Sequence, residues 1–204
     1  MICKSKLMVY TKGVINNIED TIYSFDYGNV HFAVLNSGAD YALTSDGRII
    51  LSKQAEWLRK DMQASDKKWK ILMVHMGPYP VKTRGDSRAA LESTIDECGI
   101  DLVLQGHDHM VSRTYQMTGG QIINKQNPDS IIKGSGAVYA ILGAGGAKRY
   151  DMLTSTPEYS AVINTTKSAQ PSYTVFDVSD KKIKITAKQI NGAVIDKFEI
   201  TDDE

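Results

Sequence analysis

Two patterns of apolar positions run through the chain. Unbroken apolar runs of the kind buried in an α/β sheet occur at KILMVHM (70–76) and IDLVLQ (100–105). Upstream, Tyr23–Phe25 and Val30–Leu35 read as two strands joined through Asp26, Tyr27, Gly28 and Asn29. Ser52 fits the N-cap of a helix that puts Ala55, Leu58 and Met62 on one face with Trp57 beside them. That helix runs out near Ser65–Lys68. Gly77–Pro78 breaks the first apolar strand at once, and Asp86 or Ser87 caps a second helix, Arg88–Cys98, stopped by Gly99. The order strand, helix, strand predicts neighbouring parallel strands linked by a right-handed crossover.

Beyond residue 110 the pattern is strands alone. VSRTYQM, QIIN, AVYAILG, SYTVFDV, KIKITAKQI and AVIDKFEI are separated by turns rich in glycine, asparagine and aspartate, with hairpins expected at 178–182 and 191–192. No repeat of fixed period and no low-complexity tract interrupts them. The expectation is one α/β domain over 1–204: a loop-like lead-in (1–22), an α/β part (23–110) and a β-rich part (111–204).

Composition changes this picture little. The 204 residues are 42% hydrophobic and 24% charged, the make-up of a globular protein with a sizeable core. Lysine plus arginine (24) equals aspartate plus glutamate (24), so no basic excess points to nucleic acid or an anionic membrane. No apolar run is long enough to span a bilayer, and the first residues lack the apolar core of a signal peptide. Cys3 and Cys98 lie far apart and read as ordinary thiols. None of this assigns a compartment.

Chemistry concentrates where the two apolar strands end. His75 follows ILMV, and LVLQGHDHMVS places His107 and His109 just past Gly106. Ligands of open α/β sheets bind outside the carboxyl ends of strands, and imidazole ligates zinc, iron and manganese. Beyond a glycine, in a loop, the two histidines can diverge toward two ions. A pair of ions about 3.5–4 Å apart suits phosphoryl hydrolysis, activating water and stabilising both attacking and leaving oxygens. The plainer readings are a solvated His-x-His loop and a satisfied core histidine at position 75.

VHMGPYP followed by GIDLVLQGHDHMVSRTYQM resembles the calcineurin-like metallophosphoesterases, in particular their purple acid phosphatase-like branch. YSFDYGNVHFAVLNS, WLRKDMQASDKKWKILMVHMGPY, VYAILGAGGAKR and PSYTVFDVSDKKIKI are similar to further segments of that family, so the resemblance covers most of the chain from Tyr23 onward. It implies part of a four-layer α/β/β/α sandwich and metal-dependent hydrolysis of phosphate esters. It further implies two di- or trivalent transition-metal ions (iron, zinc or manganese) in the complete domain. His75 and His107 would hold one ion and His109 the other. Asp108 is no ligand in the pattern and reads as solvated or hydrogen-bonded. Arg113 matches a position often basic in the branch, and equally fits a surface or sheet-edge arginine. Met110-Val111 stands where an aromatic residue is common, which weakens inference about the wall facing substrate.

The other ligand motifs implied by the resemblance are D-x-H, G-D-x-x-[DY] and G-N-H-[DE]. No D-x-H occurs, and Gly85-Asp86 falls after His75 and continues Ser-Arg-Ala. In Gly28-Asn29-Val30-His31 a valine separates asparagine from histidine, so Asn29 reads as a turn residue and His31 as a structural strand histidine. The leaving-group acid of the family lies in G-N-H, so no histidine here takes that role. Three neutral histidines without a bridging carboxylate cannot readily hold two dications together. The expectation is therefore the C-terminal part of a catalytic domain with partial or no metal occupancy and little turnover alone. Part of the sandwich's apolar sheet would be left for a missing N-terminal half, or a second copy, to cover. The alternative is a non-catalytic β-rich binding or scaffold module with incidental histidines. Members of the branch are often extracytoplasmic or secreted.

Overall fold

The computed structural model describes residues 5–7, 21–37, 45–82, 87–143, 145, 156–164 and 170–203. Cys3 and Asp86 lie outside them; Cys98 is a buried free thiol. The chain runs through β1 (Ser5–Leu7), β2 (Tyr23–Tyr27), β3 (Val30–Leu35), α1 (Ser45–Ala64), β4 (Trp69–Val74), α2 (Ser87–Glu97), β5 (Leu102–Gln105) and β6 (Val111–Thr114). There follow β7 (Met117–Thr118), β8 (Gln121–Ile122), β9 (Ser130–Ile132), β10 (Val138–Leu142), β11 (Ser160–Asn164), β12 (Ser172–Val178), β13 (Lys182–Gln189) and β14 (Val194–Thr201).

One sheet of eight strands has the order β1-β2-β3-β4-β5-β10-β6-β11, and a second has the order β12-β13-β14-β9. Strands β3, β4, β5 and β10 are parallel neighbours, with antiparallel strands outside them. The expected parallel β4–β5 pair is therefore present. Two expectations need correction. The lead-in contributes β1, which pairs with β2, and the first helix begins at Ser45, so Ser52 sits exposed within it rather than at its cap.

The strand alternation sorts side chains into two cores. Ala33, Leu35, Leu72, Val74, Val103 and Tyr139 pack with Ala55, Leu58 and Met62 of α1 and Leu91 and Ile95 of α2. On the opposite face Val30, Trp69, Ile71, Leu102, Val138 and Ala140 meet Ile131, Ile183, Ile185, Phe198 and Ile200. The result is three layers among the described residues: helices, large sheet, small sheet. No described helix is long and apolar enough to cross a membrane.

Arg113 ties the two sheets together. The side chain is 1% exposed, its Nε donates to Asp196 Oδ2 at 2.8 Å and its Nη2 to Asp196 Oδ1 at 3.0 Å, a two-pronged grip. Nη2 also reaches Asp129, and the guanidinium carbon lies 4.5 Å from the centre of the Phe198 ring. Burial opposes the charge, but the Asp196 and Asp129 carboxylates outweigh it and hold the pKa above the usual arginine value. The surface and sheet-edge readings of Arg113 are overturned: β14 supplies a carboxylate 83 residues away in sequence.

The small sheet extends past its cover. Phe176 and Val178 of β12 stand opposite Ile185 and Ile183 in register, yet they are 37% and 39% exposed while those isoleucines are fully buried. Tyr173 and Val175, on the other face of the same strand, are also exposed. β12 is the outer strand of its sheet, so this apolar overhang coincides with a sheet edge.

Candidate metal centre

Strands β4 and β5 are neighbours in register, with Val74 opposite Gln105, so His75 and the Gly106 loop leave the sheet side by side. Gly106 N donates to His75 O at 2.9 Å, extending the pairing by one residue. A Cβ on Gly106 would stand 2.9 Å from His75 Nδ1, so only glycine lets the loop pass this close to the ring.

Past Gly106 the backbone turns sharply. His107 and His109 have φ of 71° and 51°, the left-handed region that costs non-glycine residues energy and gathers at functional sites. This turn brings the His107 imidazole against His75. His107 Nδ1 lies 3.2 Å from His75 Nε2, and the rings stand edge to face at 5.2 Å between centres. Two nitrogens bound to one ion at about 2.0–2.1 Å, with tetrahedral or octahedral angles, lie about 2.8–3.4 Å apart. The pair therefore fits a shared metal. Burial, then the neighbouring His107 and His109, lowers the pKa of His75, keeping the ring in its neutral, ligating form. Among the described residues no group of three or more histidine, cysteine or carboxylate side chains is arranged to hold one ion.

Two side chains of the same motif lock the adjoining loop. Asp108 is fully buried, and its Oδ2 accepts from Val81 N at 2.6 Å and Lys82 N at 3.0 Å. Of its two expected roles, hydrogen bonding is the one it fills. Gln105 works similarly: its Oε1 accepts from Tyr79 N at 3.0 Å and its Nε2 donates to Tyr79 O at 3.1 Å. Its carboxamide packs where a Cβ on Gly77 would sit, 2.0 Å from Oε1. Gln105 was not singled out from sequence; the signal was a polar residue closing an apolar strand beside the glycine. Met110 and Val111 are buried and form no exposed wall.

His31 is placed quite differently. It is buried, with Nδ1 2.7 Å from Asp26 Oδ1 and Nε2 2.8 Å from Asp61 Oδ2, while Ser24 Oγ donates to Asp61 Oδ1 at 2.8 Å. Burial opposes its charge, but the bonds to Asp61 and Asp26 outweigh burial and raise its pKa. This network fastens α1 to β2 and β3, the structural role expected of His31. Asn29 lies in the β2–β3 turn as expected, its amide reaching Asp180.

Residues 7–111 match the calcineurin-like phosphoesterase family. Purple acid phosphatase 18 of Arabidopsis thaliana is 30% identical over 151 residues, covering 68% of this chain and 30% of that protein. Acid phosphatase type 7 of Mus musculus is 27% identical over 146 residues, covering 62% of this chain and 33% of its own length. The chain thus spans a third or less of these relatives. Purple acid phosphatase PPD1 from yellow lupin (Lupinus luteus) seeds superposes with a TM-score of 0.74 at 18% identity, covering 93% of this chain and 34% of that one. GAP50, the anchor in the inner membrane complex of Plasmodium, gives 0.62 at 13% identity, over 98% of this chain and 54% of its own. The chain belongs to the calcineurin-like phosphoesterase family.

Proposed function

We propose that this chain supplies the histidine side of a two-metal centre that hydrolyses phosphate esters, with His75 and His107 on one ion and His109 on the other. The observation that carries the reading is the 3.2 Å approach of His75 Nε2 and His107 Nδ1 at adjacent strand ends. The relatives' names, purple acid phosphatase and acid phosphatase, point to the same reaction class. Bound transition-metal ions (iron, zinc or manganese) would supply Lewis acidity and a water acidified for attack on phosphorus. The chain's own contribution is to orient three imidazoles, keep His75 neutral and fix the 77–82 loop through Gln105 and Asp108.

All three proposed ligands are imidazoles, which bring no negative charge to an ion, and no bridging carboxylate accompanies them in the described residues. The like charges of two ions would go unbalanced, so the chain alone holds metal weakly and turns over little. A segment bearing the missing carboxylates would complete the centre, and the β12 edge, with Phe176 and Val178 uncovered, is where it would extend the small sheet. The experiment is hydrolysis of 4-nitrophenyl phosphate by the purified 204-residue chain with added zinc, iron or manganese. Near-background rates support the reading. Enzyme-like rates that His107→Ala abolishes would overturn the partial-site claim.

One observation favours a second reading, a non-catalytic β-rich module: the apolar β12 edge is a surface suited to a protein partner. Metal analysis separates the two. A chain that takes up no transition metal after supplementation, and that His75→Ala and His109→Ala leave unchanged, is the module.

A further inference from the structure

Of the three side chains in the turn from His107 to His109, the middle one is the buried one. His107 and His109 are half-buried, whereas Asp108 between them is fully buried. We propose that Asp108 is a positioning residue that couples the metal centre to the loop at 79–82. An ion on His107 and order in that loop then favour one another. The proposal rests on the reading of His107 as a metal ligand.

The turn needs an anchor. Both histidines flanking Asp108 have a left-handed backbone, φ 71° and 51°, which residues other than glycine keep only where their surroundings impose it. Asp108 supplies that restraint twice. Its N donates to Gly106 O at 2.9 Å, closing the turn on itself, and its Oδ2 accepts from Val81 N at 2.6 Å and Lys82 N at 3.0 Å. One carboxylate oxygen between two backbone donors, sealed from water, makes charge-assisted bonds that are unfavourable to break. Relaxing φ at His107 or His109 would swing the chain beside Asp108 and draw its carboxylate off those donors.

The second clamp on the loop is independent of the turn. Gln105 closes β5 and holds Tyr79 through Oε1 and Nε2 at 3.0 and 3.1 Å, so the start of the loop is fixed by the sheet. The Val81 and Lys82 amides are bonded instead to a residue that sits between the proposed ligands. They are therefore the part of the loop that responds to the metal site. An ion that fixes His107 against His75 holds the turn, and with it the Asp108 carboxylate, in place. By linkage, the same bonds strengthen metal binding by the same factor.

The test is zinc titration of the purified 204-residue chain near pH 7, with amide hydrogen exchange followed by NMR with and without zinc. Zinc should slow exchange at Val81 and Lys82 by about fivefold or more, and at Tyr79 by less. Asp108→Ala should weaken zinc binding by about tenfold and remove that slowing. Asp108→Asn, whose side-chain oxygen still accepts both bonds, should stay within about threefold of wild type. The exchange measurement on the wild type decides the matter even if Asp108→Ala fails to fold. Zinc affinity that His107→Ala lowers and Asp108→Ala does not, or zinc binding without slowing at Val81 and Lys82, would overturn the coupling and leave the metal site standing. An asparagine variant as weak as the alanine one would overturn positioning in favour of charge alone. A chain that binds no zinc would overturn both the coupling and the site.

Discussion

Two histidine environments in this fold put the same side chain to opposite uses. His31 is sandwiched between Asp26 and Asp61 under helix α1; both ring nitrogens are taken by carboxylates, and its pKa is raised. His75 stands at the open end of β4 facing another imidazole, and its pKa is lowered by burial and by that neighbour. With both ring nitrogens engaged by carboxylates, His31 is a structural rivet with neither left for a metal. A ring whose pKa is lowered, beside a second imidazole held there by a left-handed backbone, suits the ligand role proposed for it. Burial lowers the histidine pKa in both places; what reverses its effect at His31 is the carboxylate partners.

Stability measurements should separate the two environments most strongly. His31→Ala strands the buried Asp61 carboxylate and should cost about 3–5 kcal/mol in denaturant unfolding, whereas His107→Ala, at the open strand end, should stay within about 0.5 kcal/mol. Asp101 extends the contrast to a buried carboxyl with no imidazole beside it. Burial first, against a bond from Lys70 N, pushes its pKa up to about 6. A raised folded pKa means stability present below the unfolded value and lost as pH rises through about 6. Asp101→Asn should therefore gain on the order of 1–3 kcal/mol over wild type above pH 6, and nothing near pH 4. Smaller still, His107→Gly and His109→Gly should each stabilise the fold by about 1 kcal/mol by relieving positive φ, while weakening metal uptake.

The titrations themselves are the finest test. By NMR, His31 should titrate above the ordinary histidine value of about 6.5 and His75 below it. For His31 the sign is the same as for Asp101: its contribution is complete below about pH 6.5 and is lost as pH rises through the folded pKa. Replacing Asp61 by Asn should bring His31 down, leaving His75 where it was.

Much of this was legible in the sequence. The unbroken runs at 70–76 and 100–105 and the alternation in β13 and β14 fixed the sheets, because burial on two faces or one leaves those periods. What was hidden depends on partners distant in the chain. The short strands β9 and β11 are defined by pairing with β14 and β6 rather than by local pattern. Arg113 looked like a surface arginine because Asp196 lies 83 residues away. Helix α1 runs through Gly47, Ile49 and Ile50, weak helix formers that mask its first turns. In the candidate site, the G-H-x-H spacing showed His107 and His109, and the apolar run showed His75. The clamps made by Gln105 and Asp108 could not be seen, since they depend on backbone groups of a loop 26 or 27 residues earlier.

The central claim is that His75 and His107 share one ion. Titrating zinc into the purified chain near pH 7 tests it most directly. The account predicts that His75→Ala and His107→Ala each weaken zinc binding by about tenfold or more, that the double variant is little worse than either, and that His109→Ala affects this ion less. Zinc affinity that neither His75→Ala nor His107→Ala changes would contradict it.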